Sequence, residues 1–342
     1  MAGADNSITS VAALVLIGAA QQQGIAPAPL FEAVGLDPRA APEPDRHIPA
    51  LRYIELWDRV VAQLREPLFA ARTGMGFQLE ALEGFGFLAM SCKNLSEAYQ
   101  STRSYRSLYN VGSGWELEPA GHGMRMRWEA WRLVDAPMAG RRAVNEYQVA
   151  EMLTSMRTLV AEPRLLPARI CFRHPAPTDP AAFIPVLGTA PEFGAEFDGF
   201  EVPSELLQRP LALANAALRA YFDRQCKEAS ARFEADQALT GKVRRQIIEG
   251  MNGQLPSMQA VARAVGLSVR SLHRALEAEG TKYNELVDQV RQDFSQRYLA
   301  RPSLSIGEVS YLVGFSDTSA FFKAFKRWTG RKPGEYRAAL AP

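Results

Sequence analysis

Arg270, Ser271, His273 and Arg274 fall within five consecutive positions, and Thr318, Ser319 and Lys323 form a second group further along the chain. Their chemistry is hydrogen bonding and charge. On a helix, residues 270, 273 and 274 share one face by the i, i+3, i+4 rule, opposite Leu272 and Leu276. An arginine so placed can hold the O6 and N7 of guanine together, a contact that discriminates by about 1–3 kcal/mol. His273 can donate to an acceptor on a base edge, and Thr318 and Ser319, at a helix start, can touch bases or phosphates. Ser268, Lys326, Arg327 and Arg331 are candidates for phosphate contacts, which position a protein on a duplex without reading its sequence. The competing view of each residue is a solvated surface side chain.

The elements that must hold these residues occur twice. Residues 258–280 (MQAVARAVGLSVRSLHRALEAEG) predict a helix with Val261, Ala262 and Val265 inward, a Gly266-Leu267 turn, and a second helix that Ser268 can cap. Residues 305–328 repeat the plan. Ile306, Val309, Leu312 and Val313 mark a short helix, Gly314-Phe315 a turn, and Ser316-Asp317 the start of a helix whose inward residues are Phe321, Phe325 and Trp328. VARAVGLS aligns with VSYLVGFS at an offset of 48 residues. One such hairpin is a common supersecondary motif, and two in an ordinary all-α core are conceivable. The matched glycine, cap and apolar positions favour a duplicated helix-turn-helix, the plan of a DNA-groove reader. Residues 282–300, with Leu286, Val287, Val290, Phe294, Tyr298 and Leu299, predict a linker helix that fixes the spacing of the two readers.

Composition sets the frame. A chain of 342 residues suits two domains. Its net charge of +2 hides an asymmetry: residues 237–342 carry 16 Lys and Arg against 9 Asp and Glu, whereas residues 1–236 carry 23 against 28. A basic rear end beside an acidic front suggests that the rear meets a polyanion. Cys92, Cys171 and Cys226 are widely separated and make no metal-ligand spacing, which implies buried reduced thiols, no metal, no cofactor and a cytoplasmic setting. Residues 11–20 (VAALVLIGAA) resemble a signal-peptide core, but no Lys or Arg precedes them and they are too short to span a bilayer, so they predict a buried first helix and no membrane partner. Residues 1–236 contain no GxSxG, no HExxH, no phosphate-cradling glycine loop and no Cys/His cluster, and His47, His122 and His174 are scattered beside turns. The chain therefore does not look like an enzyme.

The front region predicts an α+β domain. Residues 1–80 look helical, and 83–92 form a compact apolar run. Ser96 is placed to cap a helix reaching Tyr109. Met124, Met126, Trp128 and Ala130 alternate with Arg125, Arg127 and Glu129 after a glycine turn, which predicts a β-hairpin with residues 115–117. A long helix over 142–161, a strand over 168–172, a short helix over 180–187 and a strand over 197–202 follow. Residues 210–236 predict a helical connector that can also serve dimerisation. Tyr105, Arg106, Tyr109, Trp115, Trp128 and Trp131 could line a pocket or be plain core.

Residues 314–337 (GFSDTSAFFKAFKRWTGRKPGEYR) and 261–291 (VARAVGLSVRSLHRALEAEGTKYNELVDQVR) resemble the DNA-binding domain of the AraC/XylS family of bacterial transcription regulators, over about residues 240–340. The front portion resembles the long arabinose-binding-type N-terminal domain of one branch of that family, through LFEAVGLDP, FGFLAMSCKNLSEAYQSTRSY and VPSELLQRPLALAN. The resemblance implies an α+β sensor and oligomerisation domain over 1–236, with its connector at 210–236, and an all-α DNA-binding domain over 237–342. It further implies an effector-responsive activator that docks on two adjacent major-groove segments of double-stranded promoter DNA, about 34 Å apart on one face. Its partners would be RNA polymerase, a small-molecule effector and a second copy of the chain. Lys323 stands where the family usually has Arg, and Phe322 at a position often small or polar. Lysine lacks the bidentate fork of arginine, so the second reader should discriminate bases less well than the first. The alternatives are an enzyme with a DNA-binding appendage and an effector-independent DNA-binding protein.

Overall fold

The alternation of residues 124–129 becomes an interior strand of a sheet in the computed structural model, which describes residues 6–39, 46–121, 123–131, 133, 136–251, 255–301 and 304–338. His122 lies outside the described residues. The chain divides into two units, residues 1–231 and 232–342.

In chain order the front unit runs β1 (Ser7–Thr9), α1 (Ser10–Gln22), α2 (Ala28–Val34), β2 (His47–Pro49), α3 (Ala50–Leu64), α4 (Phe69–Met75), α5 (Glu83–Ser91), α6 (Leu95–Ser104), β3 (Asn110–Val111), β4 (Gly114–Ala120), β5 (Gly123–Glu129), α7 (Met138–Leu159), β6 (Arg169–Phe172), α8 (Ile184–Leu187), β7 (Glu192–Phe193) and β8 (Gly199–Pro203). Among the described residues, five strands pair in the order β4-β5-β8-β6-β7, antiparallel except for β6 with β7. In the β4–β5 hairpin Trp115 pairs with Trp128 and Leu117 with Met126, while Glu116 faces Arg127 and Glu118 faces Arg125 on the other side. Period-two alternation thus sorts apolar pairs to one face and opposite charges to the other.

Helix α7 is buried on several sides, because it joins two cores. Val149, Leu153 and Met156 pack with Met126, Ile170, Phe172 and Phe200 of the sheet. Val144 and Tyr147 pack with Ile8, Leu16, Trp57 and Phe69 of the helices before it. Cys92, Cys171 and Cys226 are free and buried, and burial pushes the Cys171 and Cys226 thiols up to about 11. The first helix is buried as expected, on Ala12, Ala13, Leu16 and Ile17.

Several front-region expectations need correction. Residues 1–80 are not uniformly helical: β1 pairs with both β2 and β3 in a small sheet, joining residues 7–9 to 47–49 and 110–111. Strands this short carry no readable period. Helix α6 is capped by Asn94, not Ser96; the Asn94 backbone is extended and its Oδ1 accepts from Glu97 N at 2.9 Å. That helix stops at Ser104, and a separate 3-10 turn covers 106–108. The two-residue β7 was not foreseen. The connector is not helical from 210: Leu211 N donates to Lys93 O, and the helix α9 (Ala216–Gln237) starts only where Asn215 Oδ1 accepts from Ala217 N and Leu218 N.

The rear unit is helical throughout: after the end of α9 come α10 (Leu239–Glu249), α11 (Met258–Ala264), α12 (Val269–Ala278), α13 (Tyr283–Leu299), α14 (Ile306–Leu312), α15 (Thr318–Thr329) and α16 (Pro333–Ala338). Two cores form around the two helix pairs. Val243, Ile247, Val261, Leu272 and Leu276 share the first with Leu286, Val287 and Val290 of α13. Val309, Val313, Phe321 and Phe325 share the second with Leu299 of α13.

The repeat is visible atom by atom in the turns. Val265 N donates to Val261 O, Gly266 N to Arg263 O and Leu267 N to Ala262 O. Val313 N, Gly314 N and Phe315 N donate to Val309 O, Tyr311 O and Ser310 O in the same way. Both glycines are left-handed, at φ 73° and 79°. The caps then differ by a step: Ser268 Oγ accepts from Ser271 N, whereas in the second module the cap is Asp317, whose Oδ1 accepts from Ala320 N. The second turn is one residue longer, so beyond the glycine the correspondence shifts from 48 to 49 positions. Leu272 and Leu276 then match Phe321 and Phe325, and Arg274 matches Lys323.

An added Cβ at Gly266 would meet no atom within 4 Å, so its constraint is conformational alone. Gly266→Ala should destabilise the rear unit by about 1–2 kcal/mol in chemical unfolding, and Gly266→Asn by less, since asparagine tolerates the left-handed region better.

Candidate nucleic-acid interface and effector cavity

Each reader helix is set by a buried pair, a side-chain cap and an anchor to α13. Leu272 and Leu276 are fully buried beneath α12, and Phe321 and Phe325 beneath α15. With those sides fixed inward, Arg270, His273 and Arg274 are exposed on α12, and Thr318, Ser319 and Lys323 on α15. Arg270, Arg274 and Lys323 have no acidic partner among the described residues. Ser271 is half-buried, and its hydroxyl lies 2.9 Å from that of Ser268. Both serines are thus engaged in the cap, though Ser268 is exposed. Lys326 and Arg331 are exposed, while the Arg327 guanidinium is held 2.6 Å from Asp288 of α13.

Helix α13 grips both modules with side chains that periodicity alone did not single out. At its start, Tyr283 OH donates to Pro256 O at 2.8 Å. Further along, Arg291 donates to Val313 O at 3.1 Å and to Gly314 O at 2.6 Å, and its guanidinium lies 4.0 Å from the centroid of the Phe315 ring. Burial lowers the pKa of this arginine. Near the end of α13, Arg337 Nε donates to Leu299 O at 3.1 Å. The turn that aims α15 is therefore tied to the linker helix.

The front unit holds a cavity bounded by α6, the 105–114 segment, β4 and α7, with about 150 Å³ open to the centres of water-sized molecules. Arg106, Tyr109 and Trp115 line it. Tyr105, Trp128 and Trp131 do not: Tyr105 OH donates to Asp223 at 3.1 Å, and the two tryptophans are buried at 3% and 4% exposure. Sequence reasoning missed the most unusual group there, Glu151 of α7, which is 7% exposed. Its carboxylate accepts from Tyr109 OH at 3.0 Å and from Gln148 Nε2 at 2.9 Å. Burial pushes its pKa up to about 8, against the opposing pull of the hydrogen bonds from Tyr109 and Gln148. The one available signal was an acid flanked on both sides by apolar residues, Val149-Ala150 and Met152-Leu153.

Residues 24–211 match the family model described as the arabinose-binding domain of AraC transcription regulators, and residues 261–339 match a helix-turn-helix domain. The ornithine utilization regulator of Pseudomonas aeruginosa is 30% identical over 326 residues, 95% of this chain and 94% of that one. The chain belongs to the AraC family. This regulator is also 24% identical to VirS of Mycobacterium tuberculosis, over 93% of this chain and 92% of VirS. The crystal structure of the regulator CdpR from Pseudomonas aeruginosa matches at 22% identity and a TM-score of 0.47, covering 95% of this chain and 98% of CdpR. The protein is a DNA-binding transcription regulator, and its relatives are regulators rather than enzymes. Among the described residues, no helix is long and apolar enough to cross a membrane, and no group of three or more His, Cys, Asp or Glu could hold a metal ion.

A carboxyl whose folded pKa lies above its unfolded one stabilises the fold below the unfolded value and loses that contribution as pH climbs through the folded value. For Glu151 the loss runs from near the ordinary value of 4.5 up to about 8. Glu151→Gln, which cannot ionise, should therefore melt on the order of 5 °C above the parent at pH 8, with the difference closing as pH falls towards 5. Thermal unfolding across that range checks both the sign and the window.

Proposed function

We propose that the protein is a cytoplasmic, effector-responsive activator that reads two adjacent major-groove segments of promoter DNA, one with α12 and one with α15. The observation that carries this reading is the sharing of α13 between both modules, through their cores and through Tyr283 and Arg291. A stiff shared helix lets one chain engage two groove segments of an asymmetric site. Arg270, Ser271, His273 and Arg274 would contact bases in the first segment, and Thr318, Ser319 and Lys323 in the second. Ser268, Lys326, Arg327 and Arg331 would hold phosphates, with Arg327 exchanging or sharing its Asp288 partner on binding. Arg274 and Lys323 occupy equivalent positions on their helices, so the change to lysine makes the second module the looser reader.

In the same reading, residues 1–236 sense the effector and residues 237–342 bind DNA, without enzymatic activity. The cavity beside Glu151 is the effector site. An effector shifts DNA binding only by favouring one state of the chain over another. RNA polymerase is the activation partner, and α9 offers a homodimer surface, with Leu218 and Tyr221 about half exposed.

Two measurements on DNA test this reading. On the promoter site recovered by genome-wide mapping of bound DNA, Arg274→Ala should lose about ten- to hundredfold in affinity and change random-DNA binding little; equal loss on both would remove it from base readout. Lys326→Ala should weaken both DNAs alike and reduce the salt dependence of log K by about one unit of slope. An unchanged slope would remove Lys326 from the phosphate contacts.

A further inference from the structure

Glu151 is a costly group to keep. Its carboxylate is buried, held only by the neutral donors Tyr109 and Gln148, and has Tyr53 and Tyr147 nearby. Among the described residues no lysine, arginine or histidine pairs with it. The charged groups lining the same cavity are Arg103 and Arg106, and both reach instead to Glu116, at 3.0 and 3.4 Å, with their side chains more than half exposed. A buried carboxylate without a counter-ion is stable only if it takes up a proton or meets a cation. The cavity that it lines has mostly apolar walls, including Leu79, Leu82, Phe85, Met152 and Met156.

We propose that this cavity takes a small organic cation, an amine with an apolar body, whose ammonium pairs with the Glu151 carboxylate while the body lies among the leucine and methionine side chains. The proposal rests on the reading of the cavity as the effector site and names the chemical class of its ligand. A free sugar fits poorly, since most of its hydroxyls would face apolar walls without partners. An anion fits worse, because its charge would approach a carboxylate inside a low-dielectric pocket. The amine fits because it supplies the missing counter-charge, with Tyr109 and Gln148 already orienting both carboxylate oxygens.

Pairing with a cation requires the ionised carboxylate, which near neutral pH is the minor form of an empty site whose pKa is about 8. Binding should therefore expel a proton at pH 7 and tighten by about tenfold between pH 7 and pH 9. The experiment is calorimetric titration of the full chain with 2-phenylethylamine, 2-phenylethanol and 3-phenylpropionate, in two buffers of different ionisation enthalpy. The expected result has three parts. The amine binds at least about tenfold more tightly than the alcohol. It releases close to one proton at pH 7. In Glu151→Gln both the preference and the proton release disappear, while binding of the alcohol persists. If the alcohol or the acid binds as well as the amine, or if amine binding ignores both pH and Glu151→Gln, the cation proposal is overturned and the cavity survives as an effector site. If none of the three probes binds the parent protein, the proposal and the effector-site reading fall together.

Discussion

The geometry of the rear unit depends on one helix being part of two cores. Leu286, Val287 and Val290 of α13 complete the first module, and Leu299 completes the second. Neither helix pair buries its apolar face alone, so each is held by the spacer that separates it from the other. The Arg291 guanidinium converts this shared packing into direction. It satisfies the carbonyls of Val313 and Gly314 at the turn and covers Phe315, so the entry angle of α15 follows α13. A bidentate planar donor does this with a single side chain, where a lysine would satisfy one carbonyl and leave the ring uncovered.

The front unit is organised differently. Helix α7 also joins two cores, but what passes through it is polarity as well as packing. On the side towards the cavity it carries Gln148 and Glu151, and Tyr109 reaches them from the segment leading into β3. That segment is fixed by the small sheet that pairs residues 110–111 with β1, and by the contact of His47 Nε2 with Leu108 O at 3.2 Å. The polar end of the cavity therefore depends on the extreme front of the chain, far away in sequence.

What the sequence made legible follows from the range of the interactions involved. Turns, caps and apolar spacing are local, and so the two modules, the spacer and the hairpin around residues 114–129 could be read directly. The α+β character of the front and the all-α character of the rear followed from those periods. Pairings between distant segments could not be read, because two- and three-residue strands such as β1, β2, β3 and β7 have no period of their own. The cap at Asn94 was missed because Ser96 offers a competing side-chain oxygen two positions later, and only the extended backbone of Asn94 decides between them. Exposed reader residues were visible from their spacing against Leu272, Leu276, Phe321 and Phe325. Arg291 and Glu151 were hidden because their roles come from partners 22 and 42 residues away.

The longer second turn has a practical consequence for re-engineering specificity. A designer who exchanges reader segments by counting from the glycine would set Phe322 in the place of Arg274 and turn an aromatic ring to solvent. Cutting at the cap, Ser268 in one module and Asp317 in the other, keeps Lys323 in that place and the buried pair in phase. The natural joint for a chimera is thus the first residue that closes the helix, and the loop before it must travel with its own module.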